Sequence, residues 1–312
     1  MDYTARKINI PYKTAFVVNP SSGAGYAGKT WPHIAEMLDQ SGQQYKVYFT
    51  RGSGDGTALA AKAVREGAEL VVAVGGDGTL FEVVNGIEPD RTVFALIPLG
   101  TGNGFRRSCA LPGQWQEVLR GFSNWKPRLI DLGLINGSYF LNVAGIGFDA
   151  AVAEMASDKY KIIGGYTAYL VAFFDELTRF DHFGTRIESE QWEIEQDNTL
   201  LVVAANGPYY GGGFTIAPQA SIDDGLLDLI IIRRMNKPET TLLAFQAMVG
   251  KHLDHSAVIA TKIEHVKILA DHQVPVHIDG EIIGRLPLNI GIKPGALQIL
   301  APQKELTARA DR

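Results

Sequence analysis

Cysteine is almost absent from this chain: Cys109 is the single one among 312 residues. No internal disulfide can form, and nothing calls for an oxidising compartment. Long apolar runs are missing too. The longest, roughly Ile162 to Phe174, is interrupted by Gly164, Gly165, Tyr166 and Thr167 and stops short of the ~20 residues a bilayer span needs. The stretch from Met1 to Lys13 is polar and charged, with no apolar centre, so it does not read as a signal peptide. No basic run is present and the formal net charge is −5, a poor balance for binding nucleic acid. The chain is expected to be soluble and cytoplasmic, touching a membrane only from outside.

What remains is the composition of a globular protein, 46% hydrophobic and 20% charged, with length for two domains. Charge is uneven. Residues 1–130 carry 14 Lys+Arg against 11 Asp+Glu, a balance of +3, and the remainder carries 15 against 23, a balance of −8. The first third alternates short apolar runs with helical patterns. Thr14–Val18, Tyr45–Thr50, Leu70–Val74 and Val93–Pro98 read as strands; Trp31–Gln40, Thr57–Glu66 and Leu80–Asn85 read as helices. Wholly apolar strands in such alternation predict a parallel sheet covered on both faces.

After about Asp131 the pattern changes. Tyr139–Val143, Thr185–Glu195, Leu200–Asn206, Leu226–Arg233, Val266–Ala270 and Val274–Asp279 read as strands joined mostly by turns. Helical patterns interrupt near Ile163–Phe180 and Pro238–Val249, and Leu288–Ile292 with Ala296–Leu300 reads as a last hairpin-like pair. This predicts a mainly antiparallel second domain, a sandwich or flattened barrel. Ala308–Arg312 reads as a frayed end.

Three glycine- and hydroxyl-rich loops follow strands of the first domain. In Leu70–Val74-Gly75-Gly76-Asp77-Gly78-Thr79 an apolar strand stops at glycines flanking an aspartate, and a helix follows. Glycines let backbone approach a ligand, and N–H groups at a helix N-terminus cradle anions. A carboxylate beside phosphates handles Mg²⁺. Taken alone, the motif is equally a turn in which Asp77 caps the helix. The other two loops, Asn19-Pro20-Ser21-Ser22-Gly23 and Pro98-x-Gly100-Thr101-Gly102-Asn103-Gly104, end strands of the same expected sheet. Their C-terminal ends share the edge where ligands bind, which favours a nucleotide pocket.

The second domain offers two acidic clusters. His277-Ile278-Asp279-Gly280-Glu281 is a hairpin turn or, as chemistry, a general base for a hydroxyl with a second acid beside it. Ser221-Ile222-Asp223-Asp224-Gly225-Leu226 reads first as a solvated polar loop. Six of the seven histidines have no metal-ligand spacing, and His277 adjoins the candidate base.

In this order, the motifs resemble the diacylglycerol kinase catalytic superfamily, which includes sphingosine and ceramide kinases. The likeness runs from Thr14 to Pro302 and takes in Gly78-Thr79-x-x-Glu82-x-x-Asn85-Gly86 and Gly145-x-Gly147-x-Asp149. It implies an α/β fold: an N-terminal domain like that of NAD kinase, residues 1–130 with returning strands from about 288 to 312, and a β-rich lipid-substrate domain, residues 131–287. It implies ATP contacts at Asn19, Pro20, Ser21, Ser22, Gly23, Thr50, Gly75, Gly76, Asp77, Gly78, Thr79 and Thr101. By the same resemblance Asp77 organises a catalytic Mg²⁺, and Asp279 and Glu281 activate the acceptor hydroxyl. A structural Mg²⁺ would sit on the Asp224 carboxylate and the carbonyls of Ser221 and Leu226, reversing the plain reading of that loop. The acceptor would be a lipid at the inner face of a membrane, and a homodimer is one assembly such relatives adopt. The chain departs from the common pattern at Gly104, often Asp, and at Ala24, often basic; Lys29 or Arg106 would then be the replacement charge. Two rivals stand beside this reading: a small-molecule kinase of the NAD kinase type, and a non-catalytic nucleotide or lipid sensor.

Overall fold

The computed structural model describes residues 8–160, 165–210 and 214–303. The end read as frayed, Ala308–Arg312, residues 304–312 of the returning segment, and the first residues of the helix read from Ile163 lie outside that description.

In chain order the first half comprises β1 (Thr14–Val18), α1 (Tyr26–Gln40), β2 (Tyr45–Phe49), α2 (Asp55–Arg65), β3 (Leu70–Gly75), α3 (Asp77–Val84), β4 (Val93–Pro98), α4 (Gly104–Ser108), α5 (Trp115–Gly121) and β5 (Lys126–Ile135). β4, β3, β1 and β2 are parallel neighbours in that order. Strand periodicity sorts their side chains onto two faces. Val17, Val71 and Ala73 pack with α2, α3 and α4, while Phe16, Val18, Val72 and Val74 pack with α1 and α5. β1, β3 and β4 are buried on both faces, which is why they were legible as apolar runs, whereas β2 at the sheet edge keeps Lys46 exposed.

The second half holds β6 (Ser138–Phe140), β7 (Val143–Gly147), α6 (Phe148–Asp158), α7 (Gly165–Arg179), β8 (Phe183–Glu188), β9 (Glu193–Ala205), β10 (Leu227–Arg233), α8 (Lys237–Met248), β11 (Val258–Ile263), β12 (His265–Ala270), β13 (Pro275–Ile278), β14 (Glu281–Arg285) and β15 (Leu288–Ala301). Its strands pair antiparallel. β9 turns Val202 and Ala204 to one buried cluster and Leu201, Val203 and Ala205 to another, the latter shared with Leu243 and Ala247 of α8. Among the described residues no helix is long and apolar enough to cross a membrane.

Several boundaries differ from the sequence reading. The expected final hairpin is one strand: β15 runs from Leu288 to Ala301, with an irregularity between Lys293 and Leu297 where Pro294 and Gly295 interrupt pairing with β5. The turn signal there marks a bulge. Thr185–Glu195 is the reverse case, a hairpin of β8 and β9 closed by the Ser189 and Trp192 backbone. The expected strand Tyr139–Val143 breaks between β6 and β7 because a side chain takes its N–H groups, as described below. β5 and β15 join the halves. β15 pairs antiparallel with β12 through Leu288–Gly291 and parallel with β4 through Gln298 and Ile299, and β5 runs along most of it.

Candidate active site

The three glycine-rich loops meet at the carboxyl edge of the parallel sheet. Asn19 Nδ2–H donates to Thr79 Oγ1 at 3.1 Å, Ser22 and Thr79 hydroxyls lie 3.3 Å apart, and the Gly76 N–H donates to Ser22 Oγ at 3.3 Å. Gly100 lies so close to Gly76 that a Cβ on it would stand 2.3 Å from the Gly76 Cα. Only glycine allows that approach. Asn103 braces its loop with two bonds to the Gly100 backbone. Thr50 is buried one residue beyond β2, its N–H donating to the Val18 carbonyl, so it shares this edge. Thr101 is exposed on the cavity wall described below.

Asp77 is the first residue of α3, three residues earlier than the helix pattern suggested. An acid in the first turn is favourable there. Its carboxylate accepts the N–H groups of Gly104 and Phe105, at 3.1 and 3.4 Å, at the start of α4. Gly104 thus serves Asp77 through its backbone N–H. Burial raises the Asp77 carboxyl above its ordinary range, against those bonds and the charge of Arg107. The cation beside Asp77 is therefore Arg107, which also stacks on Tyr209 at 5.1 Å. Arg106 instead donates to the Leu111 carbonyl, and Lys29 is exposed on α1. The sequence left Lys29 or Arg106 open as the replacement charge, and the charge that acts on Asp77 is that of Arg107, the next residue along α4.

Asp279 sits in a left-handed turn, φ 50°, followed by Gly280 at φ 95°. Its carboxylate accepts three backbone N–H groups: Leu141 at 2.7 Å, Asn142 at 2.9 Å and Val143 at 3.0 Å. These are the donors withdrawn from the expected Tyr139–Val143 strand. Burial pushes the Asp279 carboxyl up to about 6, the three N–H groups opposing it and the charge of Asp77 adding to it. Glu281, two residues on, reaches the Gly-Gly-Asp-Gly turn: a Cβ on Gly78 would come within 2.7 Å of its Oε1. Desolvation and the charge of Glu82 raise its carboxyl as well. Glu82 itself accepts the N–H groups of Gly54 and Gly56 at the start of α2.

His277 is buried behind this turn. Its Nδ1 accepts the Gly280 N–H at 3.2 Å, which leaves Nε2–H to donate to Asp149 at 3.0 Å. The Tyr210 hydroxyl donates to the same carboxylate oxygen. The sequence marked His277 and Asp149 separately; nothing in it pairs them with Tyr210.

Asp77, Asp279 and Glu281 line a cavity of about 930 Å³ together with Gly78, Thr101 and Arg107, and Phe148, Val152, Leu170, Phe173, Ile232 and Leu243 line the same cavity. Within residues 167–174 burial is divided: Ala168 and Ala172 are buried, whereas Tyr169, Leu170, Val171 and Phe174 are exposed.

A catalytic Mg²⁺ would find one protein ligand here, the Asp77 carboxylate, with waters and phosphates as its other ligands; among the described residues no three His, Cys, Asp or Glu side chains converge on a metal. The acidic loop is different. Asp224 Oδ1 accepts the Leu226 N–H, and its Oδ2 lies 3.0 Å from Lys262 Nζ, which also meets Asp228 at 2.8 Å. β10 and β11 pair Asp228 directly with Lys262, so strand register puts an ammonium where the resemblance implies a metal. Ser221, Asp224 and Leu226 do not fit a structural Mg²⁺ while that ammonium holds the carboxylate.

The Diacylglycerol kinase catalytic domain family matches residues 13–135, and the YegS C-terminal NAD kinase beta sandwich-like domain matches residues 142–301. A diacylglycerol kinase of Staphylococcus carnosus is 32% identical over 279 residues, 89% of this chain and 91% of that protein. The chain belongs to the diacylglycerol kinase family. A second member, the diacylglycerol kinase of Bacillus subtilis, is 31% identical over 88% of this chain and 91% of its own length. The fold agrees as well: the crystal structure of a Bacillus anthracis diacylglycerol kinase superposes with a TM-score of 0.72 at 24% identity, over 94% of this chain and 98% of that one.

Proposed function

We propose that this protein transfers the γ-phosphate of ATP, with Mg²⁺, to a hydroxyl of a diacylglycerol-like lipid. The observation that carries this is the mixed lining of the cavity: Asp77, Asp279 and Glu281, with Gly78 and Thr101 of two glycine-rich loops, share it with a larger set of apolar side chains. A polar acceptor such as a dinucleotide would leave those apolar walls unmatched, and the retained acids weigh against a sensor.

The loops after β1, β3 and β4 hold the nucleotide phosphates through backbone N–H groups and hydroxyls, with Asp77 facing the metal and Arg107 beside it. Bound Mg²⁺ would neutralise charge on the transferring phosphoryl group. Asp279 has both oxygens engaged by backbone, so its part is to fix the turn. Glu281 keeps its carboxylate for the acceptor. It takes the proton of the lipid hydroxyl as that oxygen attacks phosphorus in line, and its raised pKa suits a general base. His277 and Asp149 hold Gly280, and through it the direction of Glu281.

Labelled ATP with Mg²⁺ and a panel of lipid extracts tests this. Label enters a lipid with the wild type, while Asp77→Ala and Glu281→Gln lose on the order of 10²-fold or more. No labelled lipid from any extract would overturn the lipid reading, and full activity of Glu281→Gln would remove Glu281 as the base.

A further inference from the structure

α8 has two apolar faces. Leu243 and Ala247, one turn apart, pack into the second half's core. Leu242, Phe245 and Val249 follow the same helical spacing on the other side, and are 60%, 60% and 65% exposed. Across the cavity, Leu170 and Phe174 of α7 are exposed as well. Phe245, Leu170 and Phe174 all line the cavity, while Leu242 and Val249 do not, so exposed apolar side chains of both helices reach one cavity and the α8 face continues beyond it. Scattered apolar residues on a surface need no explanation; a contiguous set around a cavity mouth does.

The α8 side of this face carries an excess of cations. Between residues 233 and 254 stand four cations, Arg233, Arg234, Lys237 and Lys251, against two acids, Glu239 and Asp254, in a protein whose net charge is −5. All four cations are exposed. Arg233 bonds the Ser256 carbonyl and Arg234 bonds His182, partners that leave their charge uncompensated. They bracket α8 at both ends, the arrangement of a helix that lies in a bilayer interface with cations at headgroup level.

We infer that the exposed face of α8, with the facing edge of α7, seats the protein on an anionic lipid bilayer and opens the cavity directly into it. The inference rests on the lipid-kinase reading for its purpose but not for its observations. A second copy seated on the same face would cover the mouth through which the acceptor enters, which is why a bilayer is the occupant argued here.

The test uses the full chain and the double variant Leu242→Ser/Val249→Ser, whose residues lie outside the cavity lining and are already exposed. Its melting temperature should match the wild type. In co-sedimentation, wild type binds phosphatidylcholine vesicles containing phosphatidylglycerol, and the double variant binds roughly tenfold or more weakly. Lys237→Ala/Lys251→Ala loses the preference for vesicles with phosphatidylglycerol over phosphatidylcholine alone. Phosphorylation of a short-chain, water-dispersed diacylglycerol is unchanged in Leu242→Ser/Val249→Ser, while phosphorylation of vesicle-embedded diacylglycerol falls with binding. Equal vesicle binding by the double variant and the wild type overturns the inference. So does a wild-type dimer that the double variant converts to monomer without any vesicle binding, which assigns the face to copy–copy contact. Vesicle binding without lipid phosphorylation would sustain the docking face and overturn the kinase reading; the converse result overturns the docking face alone.

Discussion

At Asp279, burial and three backbone donors act in opposite directions on one carboxyl, and burial wins, pushing it up to about 6. An unfolded aspartate titrates near ~3.9. Between about pH 4 and 6 the folded protein therefore binds a proton that the unfolded chain has released. Stability from this group is full below that window and falls as pH rises through it. The span is at most about 3 kcal/mol, less where water reaches the carboxylate. Urea unfolding of the wild type at pH 4.5 and 7 should show the fall. In Asp279→Asn, whose amide does not titrate, the pH dependence shrinks. The variant is also less stable throughout by about 1–3 kcal/mol, because an amide cannot accept from both sides. An unchanged pH slope in that variant would assign the dependence to Asp77 and Glu281.

Between elements, two side chains bridge distant segments. Asn85, at the C-terminal end of α3, donates to the Tyr139 carbonyl at 3.0 Å and accepts the Tyr139 N–H at 2.8 Å. It ties the helix that carries Asp77 to the β6 segment next to the Asp279 donors. Asn85→Ala orphans both Tyr139 backbone groups and should cost about 1–3 kcal/mol, read by chemical denaturation, with a larger relative loss in activity than in secondary structure. Lys262 is the second bridge. Its ammonium separates Asp224 from Asp228, while Asp131 anchors the same loop by accepting the Gly225 N–H. EDTA should leave the wild-type melting temperature unmoved. Lys262→Met leaves two facing carboxylates, lowers stability by about 1 kcal/mol, and regains it when Mg²⁺ is added. Equal Mg²⁺ stabilisation of both proteins would return the loop to a metal site.

For the whole molecule, the strand pair β5–β15 decides cooperativity. The pair runs antiparallel along most of both strands, and β15 bonds β12 at one end and β4 at the other. Without β15 each half is left with an unpaired edge strand, β12 in one and β4 in the other. The two halves should unfold together, with far-UV circular dichroism and tryptophan fluorescence giving coincident midpoints. A Trp192→Phe variant, which restricts the fluorescence to Trp31, Trp115 and Trp125 of the first half, should keep that midpoint. Separate transitions would show that the shared strands do not couple the halves.

The sequence alone determined the elements whose chemistry is local. β1, β3 and β4 are apolar on both faces, and each ends in glycines that no helix or strand interior favours, so the parallel sheet and its phosphate-type loops were legible. Asp77, Asp279 and Glu281 could be marked because acids beside glycine turns are rare outside turns and sites. Other features depend on contacts distant in sequence. Pro294 and Gly295 signal a turn in any short window; only pairing with β5 over both flanks makes them a bulge in one strand. Tyr139–Val143 has the composition of a strand and loses its N–H groups to a carboxylate more than 130 residues away. Lys262 becomes the partner of Asp228 through register, and Arg107 takes the place left open between Lys29 and Arg106 through the turn of a five-residue helix. The cavity is the largest case: its walls come from segments of both halves and from the exposed sides of α7 and α8. An apolar residue reads the same in sequence whether it faces a core or an opening, and only the packed tertiary structure separates the two.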